Sequence, residues 1–575
     1  MQGFREIWVV DFEYIGGPGE RPVPVCLVAQ EVRSGRSVRY WEDEWHSASS
    51  AQAPYRLDNQ ALFVAYFAPA EMGCHLALRW GLPAYVLDLY AEFRVATNGR
   101  PLPAGQGLLG ALSYFGLDGM QASRKDDMRS RILRGPPYSA EERIAILDYC
   151  EADVDATRAL LHAMAGDIDW PRAFLRGRYC KAVAQMEATG IPVDTGLLAQ
   201  LQEGWPSIQR ALITEIDVAY GAFEQGSFRA SRWSDYLARE GIPWPRHASG
   251  SLALDQDTFK ERVLAFPQIE PMRQLRNTLA QMRRLELLAV GKDGRNRCML
   301  SAFSSKTGRN QPSNSAYIFG RPKWLRALIR PDPGFGLAYI DWEQQEFGIA
   351  AALSEDENMQ RAYLSGDPYL AFAQLVGAVP QGATKETHPR EREQFKACVL
   401  AVQYGMGADS LARRISQPVA RARELLEMHR RAFRRYWEWN DGAVCYGLLN
   451  RKLSTAFGWP LWVSGDASVR TLQNFPMQAN GAEMLRLACC LAAEAGVAVC
   501  APVHDAILIE APLAELHIAI ETASQCMARA SEAVLNGFAL RSSVQCITYP
   551  QRYVDVNGIA MWERVQRLLQ RESVC

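Results

Sequence analysis

What this chain has little of narrows its identity first. Its net charge is −1, from 63 basic and 64 acidic residues, so the overall balance points to no polyanionic partner and excludes an acidic or basic tail protein. The 13 cysteines stand singly apart from Cys489–Cys490, and no CxxC pair or Cys/His spacing suits zinc. That pattern excludes a disulfide scaffold and reads as buried thiols in a reducing compartment. No uninterrupted apolar run reaches the ~18 residues of a membrane span, so no membrane partner is expected. Repeats and low-complexity tracts are absent. The first strand-like run, Ile7 to Val10, starts too early for a signal peptide, and a cytoplasmic location is expected. What is present is ample: 575 residues, 48% apolar and 22% charged, enough for several cores.

Residues 1–165 alternate strand-like and helix-like segments, with turns at Gly16–Gly19 and near Asn98-Gly99. Residues 205–290 read as helices, including a basic one near Met272–Leu288. Three stretches read as strands: Cys298–Phe303, Leu337–Ile340 and Val497–Cys500. A long helical region, about 356–465, separates the last two and reads as an insertion into a sheet. Local charge says more than the total. Between 260 and 330 there are 15 Lys or Arg against 4 Asp or Glu, interleaved with Phe303, Tyr317, Phe319 and Trp324. Such a stretch in a neutral protein predicts a wall for phosphates.

Two sets of carboxylates carry chemistry. Asp11 and Glu13 end an apolar strand and, at period two, share one face. Side by side they repel unless a hard divalent cation sits between them. Glu71 and Asp88 flank a helix–strand unit, and Tyr149 and Asp153 are spaced i, i+4 on one helical face. Acids that hold metals, with a tyrosine to orient a water, suit phosphodiester hydrolysis. In the C-terminal half, Asp341 follows a strand, and Asp505 lies at a turn between two apolar stretches. Between them Arg392, Lys396, Leu400 and Tyr404 recur every fourth residue. On a helix they form one stripe, with phosphate-binding cations at one end and a flat ring at the other.

The first set, Asp11/Glu13, Glu71 and Tyr149xxxAsp153, resembles the three motifs of DnaQ-like proofreading 3′–5′ exonucleases over residues 1–165. The resemblance implies that Asp11, Glu13, Glu71 and Asp153 hold two metals and that Tyr149 positions the attacking water. Asp88 corresponds to a strand-end Asp that follows the second motif. The second set resembles family A DNA polymerases of the bacterial DNA polymerase I type over about 175–575. It rests on Thr307-Gly308-Arg309, Asp341 to Glu346, Arg392xxxLys396xxxLeu400xxxTyr404-Gly405, Arg470xxxAsn474xxxGln478 and His504-Asp505.

That resemblance implies two Mg²⁺ per active site, with Mn²⁺ as a substitute. In the polymerase site Asp341, Asp505 and the Trp342 carbonyl carry them. Arg392, Lys396, Leu400, Tyr404, Gln344, Glu346 and Tyr369 would bind the deoxynucleoside triphosphate. Lys396 would protonate pyrophosphate, and Glu346 would exclude a 2′-OH. Arg309, Arg470, Asn474, Gln478 and His504 would hold primer-template DNA. The implied fold is an α/β, RNase H-like exonuclease domain (1–165) followed by an α+β right-hand polymerase (166–575). Its palm comprises 170–204, 291–355 and 466–575, its thumb 205–290 and its fingers 356–465. A monomer of phage or mobile-element origin is expected, in a bacterial or phage-infected cell, with no 5′-nuclease ahead of the first strand. A processivity factor is left open.

Five positions depart from the family pattern. Phe67 stands where an Asn precedes the second exonuclease carboxylate, which is Glu71 rather than Asp. Leu400 replaces an aromatic, Ala506 replaces a Glu, and Tyr369 replaces a phosphate-binding His. Rival readings are a polymerase with a degenerate exonuclease (low fidelity or lesion bypass), a single-subunit RNA polymerase, which Glu346 argues against, and a non-catalytic primer-template binder. Leu400 should contact the nucleotide sugar differently from a ring. Leu400→Phe is therefore expected to change both turnover and acceptance of dideoxynucleotides in steady-state incorporation; identical values for the two proteins would refute this.

Overall fold

The computed structural model describes residues 3–44, 52–118, 122–282, 285–465 and 467–572. The N-terminal unit is built on a five-stranded sheet. Its strands are β1 (Glu6–Ile15), β2 (Val23–Glu31), β3 (Ser37–Trp41), β4 (Ala61–Ala65) and β5 (Tyr85–Asp88), in the order β3-β2-β1-β4-β5. The pairs β1–β2 and β2–β3 are antiparallel, whereas β1–β4 and β4–β5 are parallel. β1 is central because its apolar run buries both faces. Trp8, Val10 and Phe12 enter the core that continues into the rest of the chain, and Ile7 and Val9 enter a second core on the opposite face. Asp11 and Glu13 follow with the parity of Ile7 and Val9.

Helices α1 (Ala68–Ala77), α2 (Leu89–Thr97), α3 (Ala122–Leu133), α4 (Ala140–Met164) and α5 (Trp170–Thr189) cover this sheet, together with a short helix at Leu108–Tyr114. α4 begins with a capping box in which Ser139 and Glu142 satisfy each other's backbone amides. Its buried stripe, including Ile146, Tyr149, Cys150 and Asp153, lies on the Ile7/Val9 face of β1. The parity of β1 and the stripe of α4 together bring the four functional groups to one place.

The second sheet has the order β7-β8-β6-β9, all antiparallel, from β6 (Phe335–Trp342), β7 (Ala498–Val503), β8 (Ala506–Pro512) and β9 (Ser542–Thr548). β7 and β8 form a hairpin whose two-residue turn is His504-Asp505. Around it lie α6 (Gln345–Leu353), α7 (Pro368–Leu375), α8 (Pro389–Gln403) and α9 (Val469–Glu494). A further helical lobe between 195 and 282 packs on an apolar core that it shares with the second sheet through Leu337, Val503 and Leu508, with Trp233 stacked on Tyr236 and Phe259.

The structure corrects three expectations. Cys298–Phe303 is not a strand: Ser301 and Phe303 both have positive φ (50° and 60°), so the chain turns there. Residues 205–290 are not all helical, since a small hairpin pairs Phe223–Glu224 with Ser227–Phe228. The boundary placed at 204/205 falls inside a helix, Thr195–Asp217, which runs through Pro206. Its apolar stripe (Leu198, Leu201, Ile208, Leu212, Ile216) stays buried on both sides of the proline, and that packing outweighs one lost backbone hydrogen bond.

The basic stretch is also less available than its count implied. Arg273, Arg295, Arg297, Arg326 and Arg330 pair with Glu270, Glu510, Asp293, Asp555 and Asp194. Three of those acids lie outside the stretch, where a local charge count cannot see them. Arg283 and Arg284 lie outside the described residues.

The N-terminal unit is firmly attached to the remainder. α5 passes so close to β5 that a Cβ on Gly177 would sit 1.9 Å from the Val86 carbonyl oxygen, so only glycine fits. The Asn98 side-chain amide donates to the carbonyls of Lys306 and Pro460, both at 2.6 Å. Arg176 forks onto both oxygens of Glu92 at 2.6 and 2.7 Å, with both side chains buried. Removing one partner leaves a buried charge uncompensated. Glu92→Ala should therefore cost about 3–5 kcal/mol in urea unfolding. The apolar pair Glu92→Leu/Arg176→Met should recover most of that loss; equal destabilisation by both variants would contradict the assignment.

Candidate nucleic-acid and metal sites

Asp11, Glu13 and Asp153 offer ligand oxygens that all lie within 4.8 Å of one another. They sit at the C-terminal end of β1, where its partner changes from the parallel β4 on one side to the antiparallel β2 on the other. A crevice at the strand ends of such a sheet is where ligands bind. Burial and the charge of Asp153 push Asp11 up to about 7. Burial, with Asp11 alongside, pushes Glu13 well up. Glu71, on α1, is driven up by its burial and then by Asp11 and Glu13. Its Oε2 is buried with no partner among the described residues. Converging acids and an orphaned carboxylate oxygen fit hard divalent cations.

Asp88 has a different task. It is fully buried, accepts from the amides of Phe67 (2.9 Å) and Tyr90 (3.0 Å), and caps α2. Phe67 itself adopts φ 73°, ψ 55°, a left-handed conformation that Asn tolerates far better than an aromatic. Its ring packs edge-on against Tyr90 at 5.3 Å. Tyr149 hydrogen-bonds Asp153, and the Cys150 thiol donates to Asp11 at 3.3 Å.

Sequence reasoning missed Lys125. Its Nζ lies 2.8 Å from Asp153 Oδ2 and 5.8 Å from the Tyr149 ring centroid. A signal existed: Lys125, Met128 and Ile132 share one face of α3, and Met128 and Ile132 are buried. A lysine on that stripe points toward the same region as its apolar neighbours.

The second site forms where β6 meets the β7–β8 hairpin. Asp341 pairs with Ala506 in register, and the Trp342 amide donates to the Asp505 carbonyl at 3.3 Å. Burial, then the adjoining Asp505, pushes Asp341 up to about 8. Asp341 Oδ1 is buried without a partner among the described residues. His504 and Gln344 both have positive φ (57° and 46°), so the residues beside the two acids carry backbone strain. Gln344 opens α6, which presents Glu346. Glu346 accepts a hydrogen bond from Tyr404, and Arg309 faces Glu346, Tyr404 and His504.

α8 presents the four-residue stripe as read: Arg392, Lys396, Leu400 and Tyr404 are partly exposed, while Phe395, Cys398, Val399 and Val402 are buried. Tyr404 caps the helix, and Gly405 follows at φ +60° against Arg470, whose guanidinium donates to the Gly405 carbonyl at 3.3 Å. Asn474 and Gln478 follow Arg470 along α9 at i+4 and i+8, both half-buried. The two cations of α8 are engaged internally. Arg392 pairs with Asp367 and, at 3.0 Å, with Glu393, while Lys396 lies 3.8 Å from Glu393. Tyr369 is buried beneath the Arg392 guanidinium at 5.5 Å from its ring centroid. Asp367, Glu393 and Arg541 were not foreseen. Arg541 donates to Glu343 and to the Tyr363 carbonyl, tying the turn after β6 to the helix Glu357–Leu364.

A cleft of about 1500 Å³ runs between the N-terminal unit and the rest of the chain. Tyr14, Phe67 and Leu133 line one end, and Lys292, Met299 and Ser315 the other.

A carboxyl raised in the folded state keeps its proton there, so its contribution to stability is full below the ordinary value of 3.8 and is lost as pH rises through about 8. In the metal-free chain, Asp341→Asn should raise Tm by roughly 2–4 °C at pH 9. That advantage should shrink steadily as the pH falls to 5; a gain independent of pH, or none, would count against the repulsion between Asp341 and Asp505.

Comparison with known proteins places this geometry. Residues 265–546 match the family model described as DNA polymerase family A. DNA polymerase I, thermostable, of Thermus thermophilus is 27% identical over 385 residues, 61% of this chain and 45% of the relative. DNA polymerase I of Chloroflexus aurantiacus is 26% identical over 416 residues, covering 66% of this chain and 43% of its own. The chain thus spans about half the length of the curated relatives it matches. The solved structure "POL domain of Pol1 from M. smegmatis complex with DNA primer-template and dNTP" superposes at a TM-score of 0.70 with 20% identity, over 95% of both chains, a likeness of fold.

Proposed function

We propose that this chain, whose residues 265–546 match the family model described as DNA polymerase family A, is a template-directed DNA polymerase that extends a primer 3′-OH with deoxynucleotides. The observation that carries the reading is Asp341 beside Asp505, with Asp341 Oδ1 buried and unpartnered at the tip of a sheet. Asp341, Asp505 and the Trp342 carbonyl would hold two divalent ions, Mg²⁺ or Mn²⁺, which when bound activate the 3′-OH and stabilise the leaving pyrophosphate.

The protein's own groups do the rest. Arg392 and Lys396 exchange their carboxylate partners for the triphosphate, and Lys396 is placed to donate a proton to pyrophosphate. Tyr404 and Leu400 bound the nucleotide. Glu346, held by Tyr404 and faced by Arg309, blocks a ribose 2′-OH. Arg309, Arg470, Asn474, Gln478 and His504 hold the template and primer terminus. Tyr369, buried under Arg392, supports that guanidinium rather than meeting phosphate itself. The palm is the four-stranded sheet with its helices, the thumb the 195–282 lobe and the fingers the helices of 356–465. Ribonucleotide polymerisation is disfavoured by Glu346, and a purely binding role by the unpartnered Asp341 oxygen.

Residues 1–165 are proposed to be a 3′–5′ proofreading exonuclease of the RNase H-like type. Asp11, Glu13, Glu71 and Asp153 would be its metal ligands, and Tyr149 would orient the water. The cleft lined by Tyr14, Phe67 and Met299 suits a frayed single strand passing between the centres. A second reading, a weakened exonuclease, is favoured by Lys125 on Asp153 and by the strained Phe67.

One gel tests both activities. A 5′-labelled primer on a template with Mg²⁺ should lengthen with deoxynucleotides, stay unextended with ribonucleotides and shorten with none. Asp505→Asn should cut extension at least about 10³-fold and leave shortening intact. Extension without shortening would favour the weakened exonuclease, and no extension by a folded, DNA-binding chain would overturn the polymerase.

A further inference from the structure

Resting on the reading of residues 1–165 as an exonuclease, we propose that Lys125 takes the place of one of two divalent cations at the N-terminal carboxylates, so that this centre binds a single divalent ion. The ligand oxygens of Asp11, Glu13 and Asp153 lie within 4.8 Å of one another, and Glu71 stands beside Asp11 and Glu13. Asp153 Oδ2 is engaged by the Lys125 ammonium at 2.8 Å. Glu71 has Asp11 and Glu13 as its principal charged neighbours and accepts from the Phe12 amide through its carboxylate. Glu71 is 4% exposed, and its Oε2 has no partner among the described residues. The open ligand position therefore lies at Glu71 and its neighbour Asp11, and the occupied one at the Asp153 oxygen.

Lys125 is not a surface side chain resting on the site by chance. Its side chain is 29% exposed and that of Asp153 is 11% exposed. Lys125 leans on the Tyr149 ring, and its charge is felt by Asp11 and Glu13 as well. Met128 and Ile132, on its own helical face, are packed in the same core as Ile146 and Tyr149, which fixes where the lysine projects. A divalent ion bound to Asp153 Oδ2 would meet the ammonium within a few ångströms, in a partly buried place where like charges repel more strongly than in bulk water. One cation at that oxygen excludes the other.

The test counts ions rather than turnover. The full chain carrying Asp341→Asn and Asp505→Asn, which silence the second centre, is titrated with Mn²⁺, and free Mn²⁺ is followed by electron paramagnetic resonance. One ion per chain is expected with Lys125, one with Lys125→Arg, and two with Lys125→Met or Lys125→Gln. Circular dichroism checks that each variant is folded. Two ions in the presence of Lys125, or one in both neutral variants, would overturn the inference while leaving the exonuclease reading standing if the native chain shortens a primer. No bound ion in any folded variant would overturn both.

Discussion

Two carboxylates that repel one another are held together by backbone pairing, and much of the C-terminal half is arranged around that fact. The antiparallel register of β6 and β8 seats Asp341 opposite Ala506, next to the turn that carries Asp505. Neither acid can move away without breaking the sheet. Burial, and then the repulsion, leave Asp341 raised with an unpartnered oxygen, and a bound cation would relieve both. The N-terminal centre repeats the device with β1 and α4, but there an ammonium is already present. Backbone strain accompanies each centre. Phe67, Gln344 and His504 all hold positive φ within a few residues of a functional acid, the kind of cost that persists only when the surrounding structure enforces it.

The same logic of stored and exchanged charge runs through α8. Arg392 and Lys396 are satisfied by Asp367 and Glu393, so a phosphate bound there would not meet idle cations but would replace carboxylates already in place. The Arg541 contacts to Glu343 and the Tyr363 carbonyl link the helix Glu357–Leu364 to the turn after β6. The N-terminal unit, in turn, shares a core with the rest through Trp8, Val10 and Phe12 and is tied by the buried Arg176–Glu92 fork. The two centres therefore sit on one continuous packed frame.

Much of this was legible where local periodicity governs. The parity of Asp11 and Glu13, the helical spacing of Tyr149 and Asp153, and the four-residue stripe of α8 follow from the geometry of strands and helices alone, and the structure displays each. The Cys298–Phe303 stretch misled because its apolar composition resembles a strand, whereas tight contacts around Phe303, including its stacking on Trp459 at 5.6 Å, impose turns with positive φ. The boundary at 204/205 failed for a different reason, since burial on both sides carries one helix across it and through Pro206.

The sequence by itself determined which residues can do chemistry and which of them share a face, because those relations are set within a dozen residues of backbone. Only the tertiary structure decided which charges are free to act. The partners of Arg295, Arg330 and Arg326 are Glu510, Asp194 and Asp555, between about 130 and 230 residues away in the chain. Lys125 reaches Asp153 because α3 and α4 pack on one face of the same sheet. Electrostatic interactions act through space, and chain separation carries no record of which distant groups folding will bring within a few ångströms.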